Sequence, residues 1–245
     1  DPFGPAPSFL SPVQLGEAMA PTDRYRNLGD LPASIPVFPL AGVLLLPRTQ
    51  LPLNIFEPRY LRMVDDALRG ERIIGMVQPA DEAAIAASTD PQAKPRLAEV
   101  GCAGRLTAWT ETADGRNLIT LTGIARFRIT GELDVTTPYR RCTVEWDEFA
   151  DDLTPEFGGT EVSRDRLLEI LKTYLDRHGL QADWRTITQS SNEALVNSLS
   201  VISPYGPREK QALLEAKTLE DRNQLLIALT EIALQQTSPS ETTVQ

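Results

Sequence analysis

The chain has 245 residues, 41% of them hydrophobic, which suffices for one large domain or two small ones around a buried core. Its formal net charge is −10, with acidic and basic side chains interspersed along the whole length. That balance disfavours nucleic acid and anionic membrane surfaces, which need a basic footprint, and no run approaches the roughly 18 consecutive apolar residues of a membrane span.

The opening Asp1-Pro-Phe-Gly-Pro-Ala-Pro lacks the basic start and apolar stretch of a secretory signal. The cytosol is therefore the expected compartment, and the absent initiator Met points to processing or trimming. Residues 1–34 are rich in Pro, Ala, Gly and Ser, with helical periodicity only from Val13 to Met19, and read as a flexible arm. Ile35 to Leu40 and Val43 to Leu46 read as short strands. Prolines at 36, 39, 47 and 52 place them at edges, bends or strand ends, which predicts an irregular barrel.

Glu57-Pro58 opens a helix, because proline at the first helical position gives up no needed N–H. Tyr60, Val64 and Leu68 recur every four residues, and Gly70 can end the helix in a left-handed conformation. Arg72 to Val77 is the next strand, and residues 79–98 read as a long connection. Arg105 to Thr112 and Asn117 to Thr122 flank Asp114-Gly115, the dipeptide of a tight hairpin turn. Phe127 and Ile129 alternate with Arg126 and Arg128, the pattern of a half-buried strand, and Arg141 to Trp146 closes the strand-rich part.

From Glu161 the period becomes helical. Leu167, Leu168, Leu171, Tyr174 and Leu175 form a stripe that ends before Gly179. A second helix covers Asn192 to Ile202, capped by Ser190 or Ser191, and Pro204 stops it. Pro207 starts a short helix to about Ala216. Thr218-Leu-Glu-Asp221 resembles a capping box and starts a long helix to about Gln236, with Leu219, Leu225, Leu226, Leu229, Ile232 and Ala233 as its apolar face. Residues 237–245, rich in Ser and Thr, read as a frayed tail.

Four blocks in this order carry a family resemblance. The first runs Ile35-Pro-Val-Phe-Pro-Leu-Ala-Gly-Val-Leu-Leu-Leu-Pro-Arg-Thr-Gln-Leu-Pro-Leu-Asn-Ile-Phe-Glu-Pro-Arg-Tyr60, and the second, overlapping it, Asn54-Ile-Phe-Glu-Pro-Arg-Tyr-Leu-Arg-Met63. The third joins Val100-Gly-Cys-Ala-Gly-Arg105 to Leu121-Thr-Gly-Ile-Ala-Arg-Phe-Arg128, and the fourth is Ser203-Pro-Tyr-Gly-Pro-Arg-Glu-Lys-Gln-Ala-Leu-Leu-Glu215 with Leu219-Glu-Asp-Arg-Asn223. From Ile35 to about Gln236 the chain resembles the N-terminal, substrate-recognising domain of the ATP-dependent Lon proteases, standing apart from the ATPase and peptidase parts. The resemblance implies an α+β fold: a PUA-like, six-stranded pseudo-barrel over residues 35–150, then a helical bundle over 151–236. It also implies binding of unfolded or extended polypeptide, with a separate protease as a further partner.

Motifs for chemistry are sparse. No glycine precedes Lys94, Lys172, Lys210 or Lys217, so there is no phosphate-cradling Gly-Lys-Ser/Thr loop, and no G-x-S-x-G elbow occurs. No catalytic residue and no cofactor is assigned. His178 sits at a helix end where a positive charge suits the dipole. One histidine with the distant Cys102 and Cys142 does not complete an ordinary zinc site, although carboxylates could assist, and buried thiols are the commoner role for the two cysteines. The pairs Asp65-Asp66, Asp81-Glu82 and Asp151-Asp152 read as solvating acids rather than acid–base machinery. Arg126 and Arg128, with Arg140 or Arg141, read as a solvated outer face balanced by acids, with an anion patch as the alternative.

Apolar residues make the stronger candidates. The Pro-interrupted stretch from Leu44 to Leu53 can leave an edge or groove for extended polypeptide. Leu44, Leu46, Leu53, Phe56, Tyr60 and Trp109 are the expected peptide-binding residues, against the plainer reading that Phe56 and Tyr60 fix the helix to the barrel. A small-molecule site or enzyme on the same barrel, and an RNA-binding module, are the alternatives.

Overall fold

The computed structural model describes residues 22, 24–87 and 93–236. Six strands form its sheet: β1 (Ser34–Pro39), β2 (Gln50–Ile55), β3 (Ile73–Val77), β4 (Val100–Glu111), β5 (Asn117–Glu132) and β6 (Arg140–Glu145). Their order is β2-β5-β4-β3-β1-β6, and a further β5–β6 pairing, Arg128 opposite Glu145 through Glu132 opposite Cys142, curls the sheet closed. Only β1 and β3 run parallel among the paired strands. β5 is long enough to serve two neighbours: its first half pairs with β2 and its second half with β6, while β4 holds its other side. Strand β2 therefore lies outside the closed ring, as a flap on β5.

The barrel interior is filled by Ile35, Val37, Ile73, Val77, Phe127, Val144 and Trp146. Phe127 is fully buried and meets Trp146 edge to face, at 5.7 Å between centroids. Gly101 makes room for it, since a Cβ there would come within 2.5 Å of the Phe127 ring. A second, larger core joins the outside of the barrel to the helices, through Leu44, Leu45, Leu46, Met63, Leu106, Leu121, Val196, Leu213 and Leu226 among others.

Val43 to Leu46 is not a strand. It crosses the seam between barrel and helices as irregular chain, held by the side chains of Leu44, Leu45 and Leu46 rather than by a ladder. Its backbone presses on β5 at Gly123, where a Cβ would lie 1.9 Å from the Leu46 carbonyl oxygen. A tight turn follows. The Thr49 N–H donates to the Leu46 carbonyl at 3.1 Å, and Arg48 takes a left-handed φ of 63°.

The helices are α1 (Pro58–Arg69), α2 (Glu82–Ala87), α3 (Arg164–His178), α4 (Trp184–Gln189), α5 (Asn192–Ile202), α6 (Pro207–Glu215) and α7 (Leu219–Gln236). α1 begins on Pro58 as the sequence predicts and buries Tyr60, Met63, Val64 and Ala67 on one face. Gly70 does not end it in a left-handed conformation: its φ is −112°, and Arg72 takes the positive φ instead. Gly179 does cap α3 at φ 63°, and the Ser191 hydroxyl accepts the Ala194 N–H at the start of α5. The capping box of α7 forms in both directions, with Asp221 N–H donating to Thr218 Oγ1 and Thr218 N–H to the Asp221 carboxylate.

Two short helices have no counterpart in the sequence reading. α2 lies inside the 79–98 connection, its start capped by Asp81, which accepts the Ala84 N–H at 2.8 Å. Asp183 caps α4 in the same way through Arg185 and Thr186. Six residues give too few turns for an apolar period to show. The buried face of α7 is also rotated from the expected one. It carries Arg222, Asn223 and Thr230 beside Leu219, Leu226, Ile227 and Leu234, which leaves Ile232 49% exposed.

Of the expected flexible arm, residues 1–21 and 23, including Val13 to Met19, lie outside the described residues. The rest of it packs on the barrel: Tyr25 and Leu31 are buried and Trp146 Nε1 donates to the Pro32 carbonyl. Residues 237–245 also lie outside the described residues.

The contact at Gly123 makes a stability prediction. Gly123→Ala cannot be absorbed by a flexible side chain, because the clash is with backbone, and should cost about 3 kcal/mol or more. Gly29→Ala, with nothing within 4 Å of the added atom, should stay within about 0.5 kcal/mol. Urea unfolding of the two variants checks the difference.

Candidate functional site

Strand β2 has one bonded edge and one open edge. The Gly123 N–H donates to the Thr49 carbonyl at 2.9 Å, and from that point alternate residues Leu51, Leu53 and Ile55 turn their backbone groups toward β5. Gln50, Pro52 and Asn54 turn theirs the other way, where no strand pairs among the described residues. Pro52 removes one donor from that edge, which leaves N–H groups at Gln50 and Asn54 and carbonyls at all three.

The open edge runs into a groove of about 220 Å³ where β2 hands over to α1. Phe38, Leu40, Leu53, Phe56 and Tyr60 give its apolar walls, with Pro95 and Pro138 opposite. Phe56 is 64% exposed and caps no core. Tyr60 is 7% exposed and lies 4.3 Å from Phe38, ring to ring, and the Arg59 guanidinium lies over the Tyr60 ring at 4.6 Å from its centroid. Burial raises the Tyr60 hydroxyl above the usual phenol range. The charged rim is internally matched: Arg59 pairs with Glu57, and Arg140 pairs with Glu132 and donates to the Pro95 carbonyl at 2.6 Å.

The six sequence candidates separate cleanly. Leu53, Phe56 and Tyr60 meet in the groove, with Tyr60 serving as its wall and fixing α1 to the barrel. Trp109 pairs with Ile119, which pairs with Leu53 on its other side, so the three share a face of the sheet. That puts Trp109 two strands, about 10 Å, from Leu53, outside the groove and 42% exposed. Leu44 and Leu46 are withdrawn from any surface, at 2% and 0% exposure, because the seam core takes them.

What holds this platform is a set of buried charges that the sequence reading assigned otherwise. Arg126 is not on a solvated face. Its backbone N–H and Nε both donate to Asp152 Oδ2 at 2.9 Å, and Nη2 donates to Oδ1 at 2.8 Å. Its Nη1 reaches the carbonyls of Leu214 and Ala216, and the guanidinium lies over the Phe149 ring. Arg48 adds a second clamp, donating to the Asp152 carbonyl at 2.7 Å and pairing with Glu193 on α5. Arg128, by contrast, is only half-buried and pairs with Glu99 and Glu148.

The acidic pairs are likewise divided between structural tasks. Asp66 accepts from Arg62 and from the Tyr139 hydroxyl, and those bonds hold its carboxyl below the usual range. Asp81 is held low first by the Ala84 N–H and then by Arg96. Cys102 and Cys142 are buried, and burial pushes the Cys142 thiol up to about 11. His178 packs its ring on Tyr174. Among the described residues, no group of three or more His, Cys, Asp or Glu side chains could hold a metal ion, and no helix is long and apolar enough to cross a membrane.

A six-stranded mixed sheet curled into a pseudo-barrel and followed by several helices makes this an α+β protein of the kind found in Lon N-terminal domains. Residues 34–231 match the family model of the ATP-dependent protease La (LON) substrate-binding domain, and the chain belongs to that family. It is 26% identical over 218 residues to a Lon protease of Flavobacterium johnsoniae, covering 87% of this chain and 26% of that protein. A Lon protease of Anaeromyxobacter dehalogenans is 27% identical over 221 residues, with 89% and 25% covered. The chain thus spans about a quarter of the length of the curated relatives it matches. Among solved structures, a Lon N-terminal domain protein from Xanthomonas campestris superposes with a TM-score of 0.54 at 25% identity, over 80% of this chain and 97% of that one. The N-terminal domain of a Mycobacterium avium complex Lon protease superposes with a TM-score of 0.58 at 17% identity, over 81% and 98%, and supports the fold.

The Arg126–Asp152 pair can be tested by removal. Arg126→Met strands a buried carboxylate and Asp152→Leu strands a buried guanidinium, so each should cost about 3–5 kcal/mol. The double variant should cost less than the sum of the two. A double-mutant cycle by urea unfolding measures the coupling.

Proposed function

We propose that this domain is a non-catalytic polypeptide-recognition module, with residues 35–150 and 151–236 acting as its two lobes. The observation that supports it is the continuity of the open β2 edge with the Phe56 groove. An extended chain adds to the edge through the backbone groups of Gln50, Pro52 and Asn54, and one of its side chains enters the groove. Backbone bonding of this kind is indifferent to sequence, whereas the apolar groove favours a bulky side chain. Unfolded polypeptide offers both features, and a folded surface offers neither.

The family name speaks of substrate binding, and the relatives are Lon proteases. On that basis the bound polypeptide is destined for an ATP-dependent protease in the cytosol, with this domain as collector or adaptor and with no cofactor of its own. The groove, at about 220 Å³, falls below the roughly 300–1,000 Å³ of ordinary small-molecule pockets, which weighs against a metabolic ligand.

Fluorescence anisotropy with a library of labelled unfolded peptides tests the proposal. Phe56→Asp should leave the melting temperature unchanged, since the side chain is exposed, and weaken peptide binding about tenfold or more. Asn54→Pro, which deletes an edge donor, should weaken peptides of every sequence alike. Uniformly absent binding to the unaltered protein would refute the reading.

A further inference from the structure

At the Pro47–Arg48 turn lies a second cavity of about 220 Å³, between barrel and helices. Three parts of the chain enclose it: Arg48 and Arg126 from the barrel side, residues 151–161 from the connection, and Glu193, Asn197 and Arg222 from α5 and α7. We propose that this cavity binds a small oxyanion, a phosphate or a carboxylate, with Arg222 as its principal anchor.

The ground is an unmatched buried cation. Arg222 is 3% exposed; its Nε donates to the Leu213 carbonyl at 2.9 Å and its Nη1 to Asn197 Oδ1 at 2.8 Å. Its Nη2 is shielded from solvent and has no acceptor on the protein. The buried charges around it do not balance. Arg126 takes both oxygens of Asp152, Arg48 takes Glu193, and neither carboxylate hydrogen-bonds to Arg222. Burial first, and then the neighbouring Arg126, pull the Arg222 ionisation down to about 10, while the charges of Asp152 and Glu193 act the other way.

Size and chemistry then narrow the ligand. The volume suits a few heavy atoms, and a guanidinium selects oxyanions through its fixed fork of N–H groups. Lys217 at the exposed mouth adds attraction, while Asp151 and Glu161, also exposed there, oppose it through water, which screens them. An ion seated among Arg48, Arg126 and Arg222 ties the barrel to α7, so binding must stabilise the folded chain. The cavity shares no lining residue with the Phe56 groove, and the proposal does not depend on polypeptide binding there.

Thermal unfolding in rising inorganic phosphate, against chloride at equal ionic strength, tests the site, with acetate as a second arm. Phosphate should raise the melting temperature by about 2–4 °C at roughly five times its dissociation constant, and chloride should not. A larger response to acetate would assign the carboxylate chemistry, and a larger one to phosphate the phosphate chemistry. Arg222→Lys keeps the charge but loses the fork and should abolish most of the response. Lys217→Glu, on an exposed side chain that leaves the fold intact, should weaken it several-fold. No stabilisation by either anion beyond chloride, or a response unchanged in both variants, would overturn the proposal.

Discussion

The Arg126 guanidinium and the Asp152 carboxylate, both buried, constrain everything around them. Each charge offsets the cost of burying the other, and between them they satisfy the backbone N–H of Arg126 on β5, the carboxylate of the 147–153 turn and the carbonyls of Leu214 and Ala216 at the end of α6. Apolar packing alone would allow the barrel and the helices to slide on each other, since Leu-rich surfaces accept several registers. The directional bonds of one guanidinium allow only one. Arg48 reinforces that choice at the cost of a left-handed backbone, and its pairing with Glu193 offsets the strain.

A fixed junction has a consequence for β2. The chain enters that strand from a turn whose backbone is wedged against Gly123, and it leaves through Phe56 into α1. Both ends are therefore held, while the middle is bonded on one side only. Natural sheets usually blunt such an edge with proline, charge or a covering element. Here Pro52 interrupts it once, and no strand pairs with it among the described residues. An edge kept open beside an exposed aromatic ring carries aggregation risk, a cost that the proposed contact with extended chain would explain. The Arg222 cavity belongs to the junction instead, and its occupancy would adjust how firmly the platform is held.

Much of the architecture was legible in the residues. Pro58 marked the start of α1, Asp114-Gly115 the β4–β5 hairpin, Gly179 the end of α3 and Thr218 the start of α7, because each of these residues has a local backbone reason for its place. Leu53, Phe56 and Tyr60 come together in one groove for a similar reason: they flank a proline-broken edge. The failures share a different cause. Leu44 and Leu46 form an apolar run that reads equally as strand or as buried coil, and only tertiary packing separates the two. Arg126 alternates with Phe127 as a surface residue would, yet residues from Leu121 to Phe127 are buried on both faces because the helices cover the outside of the barrel. Arg222, Asn223 and Thr230 hid the true face of α7 in the same way, since a polar residue at a helical position gives no sign of a partner distant in sequence.

The central claim is that polypeptide is bound as an added strand on β2 beside Phe56. Hydrogen–deuterium exchange with and without a saturating unfolded polypeptide measures this at single amides. The account predicts that the Gln50 and Asn54 N–H groups gain protection while the amides of α3 and α4 do not. Protection confined to the helical part, with the β2 amides exchanging as in the free protein, would contradict it.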